Sequence, residues 1–276
     1  MLLQKPMART AAECDAILAA QKRSGKTLGV YMNLLDHPLF RDIRRLVSEG
    51  LKTGELKNFY GPGVGFTFAE DEVYVHATRV VGDAADPVEL TRAEMQGRAD
   101  AMTMFELWKR AVPGFENSYY ISSGSYIGIR ETRRIAGACV LTEQDIQKKL
   151  EFAGAVATGC WYLNLHPTYA TSGTANADPG RLGGLDGFQP TNYDIPYRSL
   201  VSRGVDNLLV AGRCHSATRM AASSTRVTAT AMAMGQAAGV AAALSVQHKT
   251  TPQELDGRKV REALDRANAG PYNGPA

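Results

Sequence analysis

Between residues 64 and 77 apolar and polar positions alternate. Phe66 and Phe68 fall among small or polar residues, Glu70-Asp71-Glu72 makes a polar turn, and Val73, Val75 and Ala77 resume the alternation. A period of two belongs to a strand with one face buried, so the pattern predicts a β-hairpin. Upstream the period is helical: Leu39, Ile43, Leu46 and Val47 share one face of a helix running from Pro38 to about Glu49. Helix starts are marked by capping boxes, in which a Thr hydroxyl and an acidic residue three positions on satisfy each other's backbone N–H groups. Thr10 with Glu13, Thr91 with Glu94 and Thr251 with Glu254 have this form, and Thr142 with Asp145 is an Asp version. The first box opens a helix that stops near Gly25. The second opens one carrying Met95, Met102, Phe105 and Leu107, ended by Pro113-Gly114.

Residues 119–129 read as extended, with Gly124 and Gly128 marking a bend or a close backbone approach. An aromatic stretch, Trp161-Tyr162-Leu163-Asn164-Leu165-His166-Pro167, precedes residues 171–190, whose Gly, Ser, Asn, Asp and Pro content predicts a mobile lid or a disordered loop. Residues 193–197 resume an extended course, with Pro196 at a strand edge. Asn207-Leu208-Leu209-Val210-Ala211-Gly212 is a short continuous apolar run closed by Gly, the pattern of a strand buried on both faces in a parallel sheet. Ligands of open α/β sheets lie beyond the carboxyl ends of strands, which places Gly212-Arg213-Cys214-His215-Ser216 to meet one. The last long helices span about residues 225–247 and 252–267. Gly235 and Gly239 share a face of the first, so another backbone or a flat ligand can approach there; plain packing on a sheet explains the same spacing.

Composition narrows the classes. Apolar residues make up 44% and charged residues 21%, and the formal net charge is +3 with no basic block, which gives no reason to expect nucleic acid as a partner. Cys14, Cys139, Cys160 and Cys214 form no C-x-x-C pair, which argues against a metal centre and for reduced thiols in the cytoplasm. Residues 1–10 lack the apolar core of a signal peptide. Residues 227–246 are long enough to span a membrane. They are rich in Ala, Thr and Gly, with Arg226 at the head and Gln236 in the middle, so a buried soluble helix is expected and no membrane.

Several motifs in order resemble the FAD-dependent oxidoreductase family. They are Leu90-Thr91-Arg92-Ala93-Glu94, Pro113-Gly114-Phe115-Glu116, Ile127-Gly128-Ile129-Arg130-Glu131-Thr132-Arg133-Arg134-Ile135, Ile195-Pro196-Tyr197-Arg198-Ser199-Leu200, the 207–212 run with Arg213, and Gly235-Gln236-Ala237-Ala238-Gly239. The resemblance covers roughly residue 73 to the end. It implies a mixed α+β and α/β chain: a β-sheet substrate domain flanked by helices, then a carboxy-terminal strand and helix from an FAD-binding, Rossmann-like domain. On that basis residues 1–60 are a helical segment, 61–192 the substrate domain and 193–276 the closing part of the FAD domain. Gly212, Arg213 and Ser216 would lie near the ribityl chain and pyrophosphate. Gly235, Gln236, Ala237, Ala238 and Gly239 would offer small residues and backbone N–H groups to the isoalloxazine edge. The sequence departs from the family in one respect: no strand–G-x-G-x-x-G–helix unit is present, and the nearest cluster, Gly61-Pro62-Gly63-Val64-Gly65, precedes a hairpin. The chain therefore reads as truncated, lacking the nucleotide-binding half.

Proton removal accompanies many flavin oxidations, and imidazole titrates near neutrality, so His166 is the candidate base. A core histidine bonded to backbone explains it as well. His215 is a weaker candidate. Arg130, Arg133 and Arg134 form the densest basic group; Arg130 is expected to point inward beside Gly128 and hold an acidic substrate, while the others face solvent or pair with Glu131 and Asp145. Arg226 matches a family arginine and is expected at the flavin pocket, with helix surface charge as the competing view. Two functions follow. One is an FAD-dependent oxidoreductase, or a subunit or fragment of one, passing a hydride from a small organic substrate to flavin, with a separate nucleotide-binding subunit or a homo-oligomer completing it. The other is a non-catalytic remnant or interaction subunit that does not bind FAD by itself.

Overall fold

The computed structural model describes residues 2–4, 11–24, 29–31, 38–56, 59–66, 71–165 and 188–269. The chain forms two compact units: residues 1–79 with 96–123, and residues 80–95 with 124–276. His166, Thr10 and the 171–187 part of the expected loop lie outside the described residues.

In the first unit β1 (Leu2–Gln4) and β2 (Gly29–Tyr31) pair in parallel, with α1 (Ala11–Ser24) between them in sequence. Sequence periodicity missed both strands, because three residues are too few to show a period. Helix α2 (Pro38–Thr53) buries Ile43, Leu46 and Val47, the face its spacing predicts. The hairpin also forms: β3 (Phe59–Phe66) pairs antiparallel with β4 (Val73–Thr78), Val64 opposite Val75, with an irregularity between Phe59 and Gly63. The glycine cluster 61–65 is thus strand backbone and not a phosphate loop.

Helix α3 (Pro87–Ala111) contributes residues 87–95 to the second unit and 96–111 to the first. It starts four residues before the Thr91 box. Asp86 Oδ1 accepts the N–H groups of Val88 (2.8 Å) and Glu89 (3.3 Å), and Pro87 sits where a missing N–H costs nothing. Thr91 instead donates its hydroxyl to Pro87 O within the helix. The apolar face differs too: Met104, Leu107 and Trp108 are buried, whereas Met95 and Met102 are exposed.

The second unit holds a larger core around α4 (Glu143–Lys148), β5 (Ala155–Gly159), β6 (Tyr193–Pro196), α5 (Arg219–Thr225), α6 (Thr228–His248) and α7 (Gly257–Arg266). The Thr142–Asp145 capping box opens α4 as expected. The Thr251–Glu254 box closes only a turn; α7 starts later, with Asp256 as its cap. β5 and β6 are antiparallel and β5 packs against α6 and α7. At the Gly159–Tyr193 pair an added Cβ would stand 2.3 Å from Tyr193 Cζ. Gly159→Ala is therefore expected to displace that ring and cost roughly 1–3 kcal/mol of stability, as overpacking does; urea unfolding against the wild type measures it.

The 207–212 run corrects the sequence reading. It does not form a parallel ladder among the described residues. Leu209 makes one antiparallel bridge to Val201, and residues 209–211 are half-buried, not enclosed. Helix α6 is likewise buried on one face only, through Thr230, Met234, Ala237, Ala241 and Ser245. It is long and apolar enough to cross a membrane, yet only 28% of its most apolar window is buried.

Candidate functional site

The segments singled out in sequence meet around α5 in the second unit. Its last three residues, Ser223, Ser224 and Thr225, are buried, and each grips a different strand of chain. Ser223 Oγ accepts the Asn164 N–H at 2.9 Å, which fixes the aromatic stretch 161–165. Ser224 Oγ lies 2.6 Å from Tyr193 Oη and donates to Trp161 O, so the tyrosine hydroxyl is its donor. Burial pushes the Tyr193 phenol up to about 12, and it stays a neutral donor. Thr225 Oγ1 stands 2.7 Å from His215 Nε2. A Ser-Ser-Thr run at a helix end reads in sequence as solvated polar surface, and nothing local marks its three partners.

His215 is fully buried. Ser199 Oγ donates to Pro196 O at 2.8 Å, which leaves its oxygen to accept from His215 Nδ1 across a longer 3.4 Å contact. Nε2 then accepts the Thr225 hydroxyl. Burial first, and the Arg134 charge second, lower the imidazole to about 4. A neutral ring with both nitrogens occupied pins the turn; it is not a base open to substrate.

The turn ahead of it is a short 3-10 segment, Gly212–Cys214. Gly212 has φ +74, a conformation that favours glycine, and a Cβ there would face Ala231 Cβ in the first turn of α6 at 3.7 Å. Arg213 is exposed and donates to Ile129 O. Ser216 is buried and its Oγ accepts the Gly137 N–H at 3.1 Å, so the hydroxyl faces the 137 loop and not an open site.

Arg226 joins α5 to α6 and donates through Nη2 to Asn164 O at 3.0 Å. Half-buried, it is no plain surface charge. Just beyond it the α6 N-terminus carries no side-chain cap, because Val227 occupies the capping position. The N–H groups of Thr228, Ala229 and Thr230 have no acceptor among the described residues. Gly235 to Gly239 sit deeper in the helix, where intrahelical bonds consume their N–H groups. That corrects the donor role expected of them. Gly235, Gln236 and Gly239 are exposed, Ala237 is buried and Ala238 half-buried, and a Cβ at either glycine would meet open space.

Arg130 corrects another expectation: its side chain is exposed, not inward. Arg133 is exposed as well. Arg134 pairs with Glu131 at 3.3 Å, and Glu131 also holds Arg219 at 2.9 Å. Gly212 thus lies against the first turn of α6 and Arg226 directly precedes that helix, while Arg213 is held on Ile129 O and Ser216 on the 137 loop. Among the described residues no cluster of His, Cys, Asp and Glu could hold a metal ion.

The family model for FAD-dependent oxidoreductases matches residues 33–264, and the chain belongs to that family. No curated protein and no solved structure matches it.

Proposed function

We propose, from membership of that family, that this chain is the substrate-facing part and closing segment of a flavin-dependent oxidoreductase acting on a small organic substrate. The observation that carries the reading is the junction of Gly212, Arg226 and the uncapped α6 start. Free N–H groups at a helix N-terminus with a guanidinium beside them suit an anionic or electron-rich group, and Gly212 leaves that group room. These donors fit the ribityl, pyrophosphate and flavin-edge part of FAD. FAD, when bound, supplies the acceptor for a hydride leaving the substrate carbon.

The remaining chemistry belongs to the side chains. His166 is the proposed base, taking the proton that leaves with the hydride. Arg226 holds charge at the junction, and Asn164, tied to both Arg226 and Ser223, sets the segment that leads to His166. Arg130, being exposed, would hold an acidic substrate only at the site's rim. In this reading a separate nucleotide-binding subunit, or a second copy of the chain, completes the cofactor site.

The test is an absorbance spectrum of the chain as purified, after incubation with FAD, and with any nucleotide-binding chain encoded beside it. Flavin retained in one of these, with binding weakened roughly tenfold by Arg226→Met as for loss of a charge-assisted contact, supports the proposal. No flavin in any of them overturns it. With flavin bound, His166→Asn should slow substrate oxidation about a hundredfold or more and leave the spectrum unchanged.

A second reading has one observation in its favour. The outer face of α6, with Met232 70% and Val246 81% exposed, suits an interaction subunit that has no cofactor.

A further inference from the structure

We propose, resting on the flavin-dependent reading above, that the side chain of Asn164 binds the oxygen of an alcohol substrate, so that the reaction oxidises C–OH to C=O. Both backbone groups of this residue are already engaged. Its N–H donates to Ser223 Oγ at 2.9 Å and its C=O accepts from Arg226 Nη2 at 3.0 Å, so the end of α5 grips one edge of the chain here. Two backbone groups turned to the same edge mark an extended residue. Side chains along an extended chain alternate, and Leu163 and Leu165 on either side are buried in the core at 0% and 4% exposure. Asn164 between them therefore faces away from that core. It is half-buried, its carboxamide makes no hydrogen bond among the described residues, and neither amide atom is sealed inside. The fold uses the backbone of Asn164 and leaves its side chain unused. A polar group held in place, partly sheltered and without a partner is placed to receive a ligand.

The position suits the chemistry. Arg226, which holds the Asn164 carbonyl, leads directly into α6 and the junction proposed for the cofactor, and His166, the proposed base, follows Asn164 by two positions. A carboxamide offers an acceptor oxygen and two N–H donors without carrying charge. Its donors serve the hydroxyl oxygen at the start and the carbonyl oxygen that replaces it, and a fixed donor favours that oxygen as it gains negative charge. The atoms balance. The substrate carbon loses its hydrogen with both electrons to the flavin, the hydroxyl loses its proton to His166, and C–OH becomes C=O while the flavin is reduced. An amine suits the place less, because its ammonium form would meet the Arg226 guanidinium. Desaturation of a C–C bond creates no carbonyl for the amide to hold.

The test uses the flavin-loaded full chain, with whichever nucleotide-binding chain that loading requires. It is mixed anaerobically with propan-2-ol, cyclohexanol and 1-phenylethanol, and separately with cyclohexylamine and succinate. At least one alcohol is expected to bleach the flavin band, and the amine and succinate are expected not to. The matching ketone (acetone, cyclohexanone or acetophenone) then reports binding without turnover, as a shift of the oxidised flavin band. Asn164→Ala should keep the flavin content and circular dichroism, since the grip on residue 164 is all backbone. It should weaken ketone binding about tenfold and lower kcat for the alcohol about tenfold or more. Asn164→Asp keeps the shape and an acceptor but has no donor, and should weaken the ketone as much; it stands in if the alanine variant folds poorly. Bound flavin that none of the alcohols bleaches overturns the assignment, as do folded variants that bind the ketone like the wild type. Absence of flavin from every preparation is a different failure, because it overturns the flavin-dependent reading and the alcohol assignment together.

Discussion

Tyr197→Ala is expected to destabilise the second unit by about 3–5 kcal/mol, the range for emptying a buried aromatic site. Tyr197 is 1% exposed and sits where three parts of the chain converge. Its N–H donates to Gly154 O at 2.9 Å, its hydroxyl donates to Pro252 O at 2.8 Å, and its Cβ fills the space left by Gly257, where an added Cβ would stand 2.9 Å away. Gly154 and Gly257 themselves lie so close that a Cβ on the first would meet the second at 3.2 Å. With α7 beginning at Gly257, the tyrosine fastens that helix to the start of β5. Tyr197→Phe separates the two contributions. It keeps the ring and leaves the Pro252 carbonyl without its donor, a loss of about 1 kcal/mol. The measurement is urea unfolding followed by Trp161 fluorescence in a Trp108→Phe background, since the chain has two tryptophans and Trp161 belongs to this unit. Equal losses from both variants would show that the hydroxyl matters and the packing does not.

What the sequence disclosed was local. The hairpin was legible because Val73, Val75 and Ala77 alternate over a full strand, and α2 because Ile43, Leu46 and Val47 repeat at helical spacing. The Thr142–Asp145 box was legible because both partners lie within one turn. Where two local signals competed, the sequence misled. Asp86-Pro87 outbid Thr91 for the start of α3, because a carboxylate before a proline caps two N–H groups at once while the Thr hydroxyl can fold back on its own helix. β5 was missed because Ala155-Val156-Ala157-Thr158-Gly159 is short, small and covered on both faces with only Thr158 half-buried, which leaves no alternation to see. The 207–212 run shows the opposite error. Its composition fits an enclosed strand, but enclosure depends on neighbours that composition does not supply.

The site divides along the same line. Gly212 and Arg226 were singled out through the order of motifs; Gly212 faces Ala231 in the first turn of α6, and Arg226 precedes that helix and donates to Asn164 O. Arg130 was misplaced because an irregular backbone from 119 to 136 has no period from which to read a direction. The Ser223-Ser224-Thr225 clasp was invisible, since its partners at 164, 193 and 215 lie 10 to 59 positions away. The clasp therefore rests on contacts that are long in sequence and buried in space, and one of them is open to titration.

His215 should make the second unit acid-labile. Its folded value is about 4, lowered from an ordinary 6.5 by burial and by Arg134. An imidazole that binds its proton more weakly folded than unfolded contributes stability in full above the unfolded value. That contribution is lost as pH falls from about 6.5 through about 4, because the unfolded chain takes up the proton first. A difference of that size corresponds to about 3 kcal/mol, as an order of magnitude. Protonation also reaches the geometry. Nε2 now accepts from Thr225 Oγ1 at 2.7 Å, and once protonated it must donate there, so the threonine hydroxyl has to turn away. Thr225 immediately precedes Arg226, so the strain falls on the junction proposed to hold the cofactor. His215→Gln isolates the effect, because glutamine can bond to Thr225 but does not titrate in this range. Urea unfolding at pH 7 and pH 4 should show the wild type losing about 3 kcal/mol more than the variant between the two. The same loss in both proteins would assign the acid lability to carboxylates elsewhere, and would leave the buried imidazole a packing element alone.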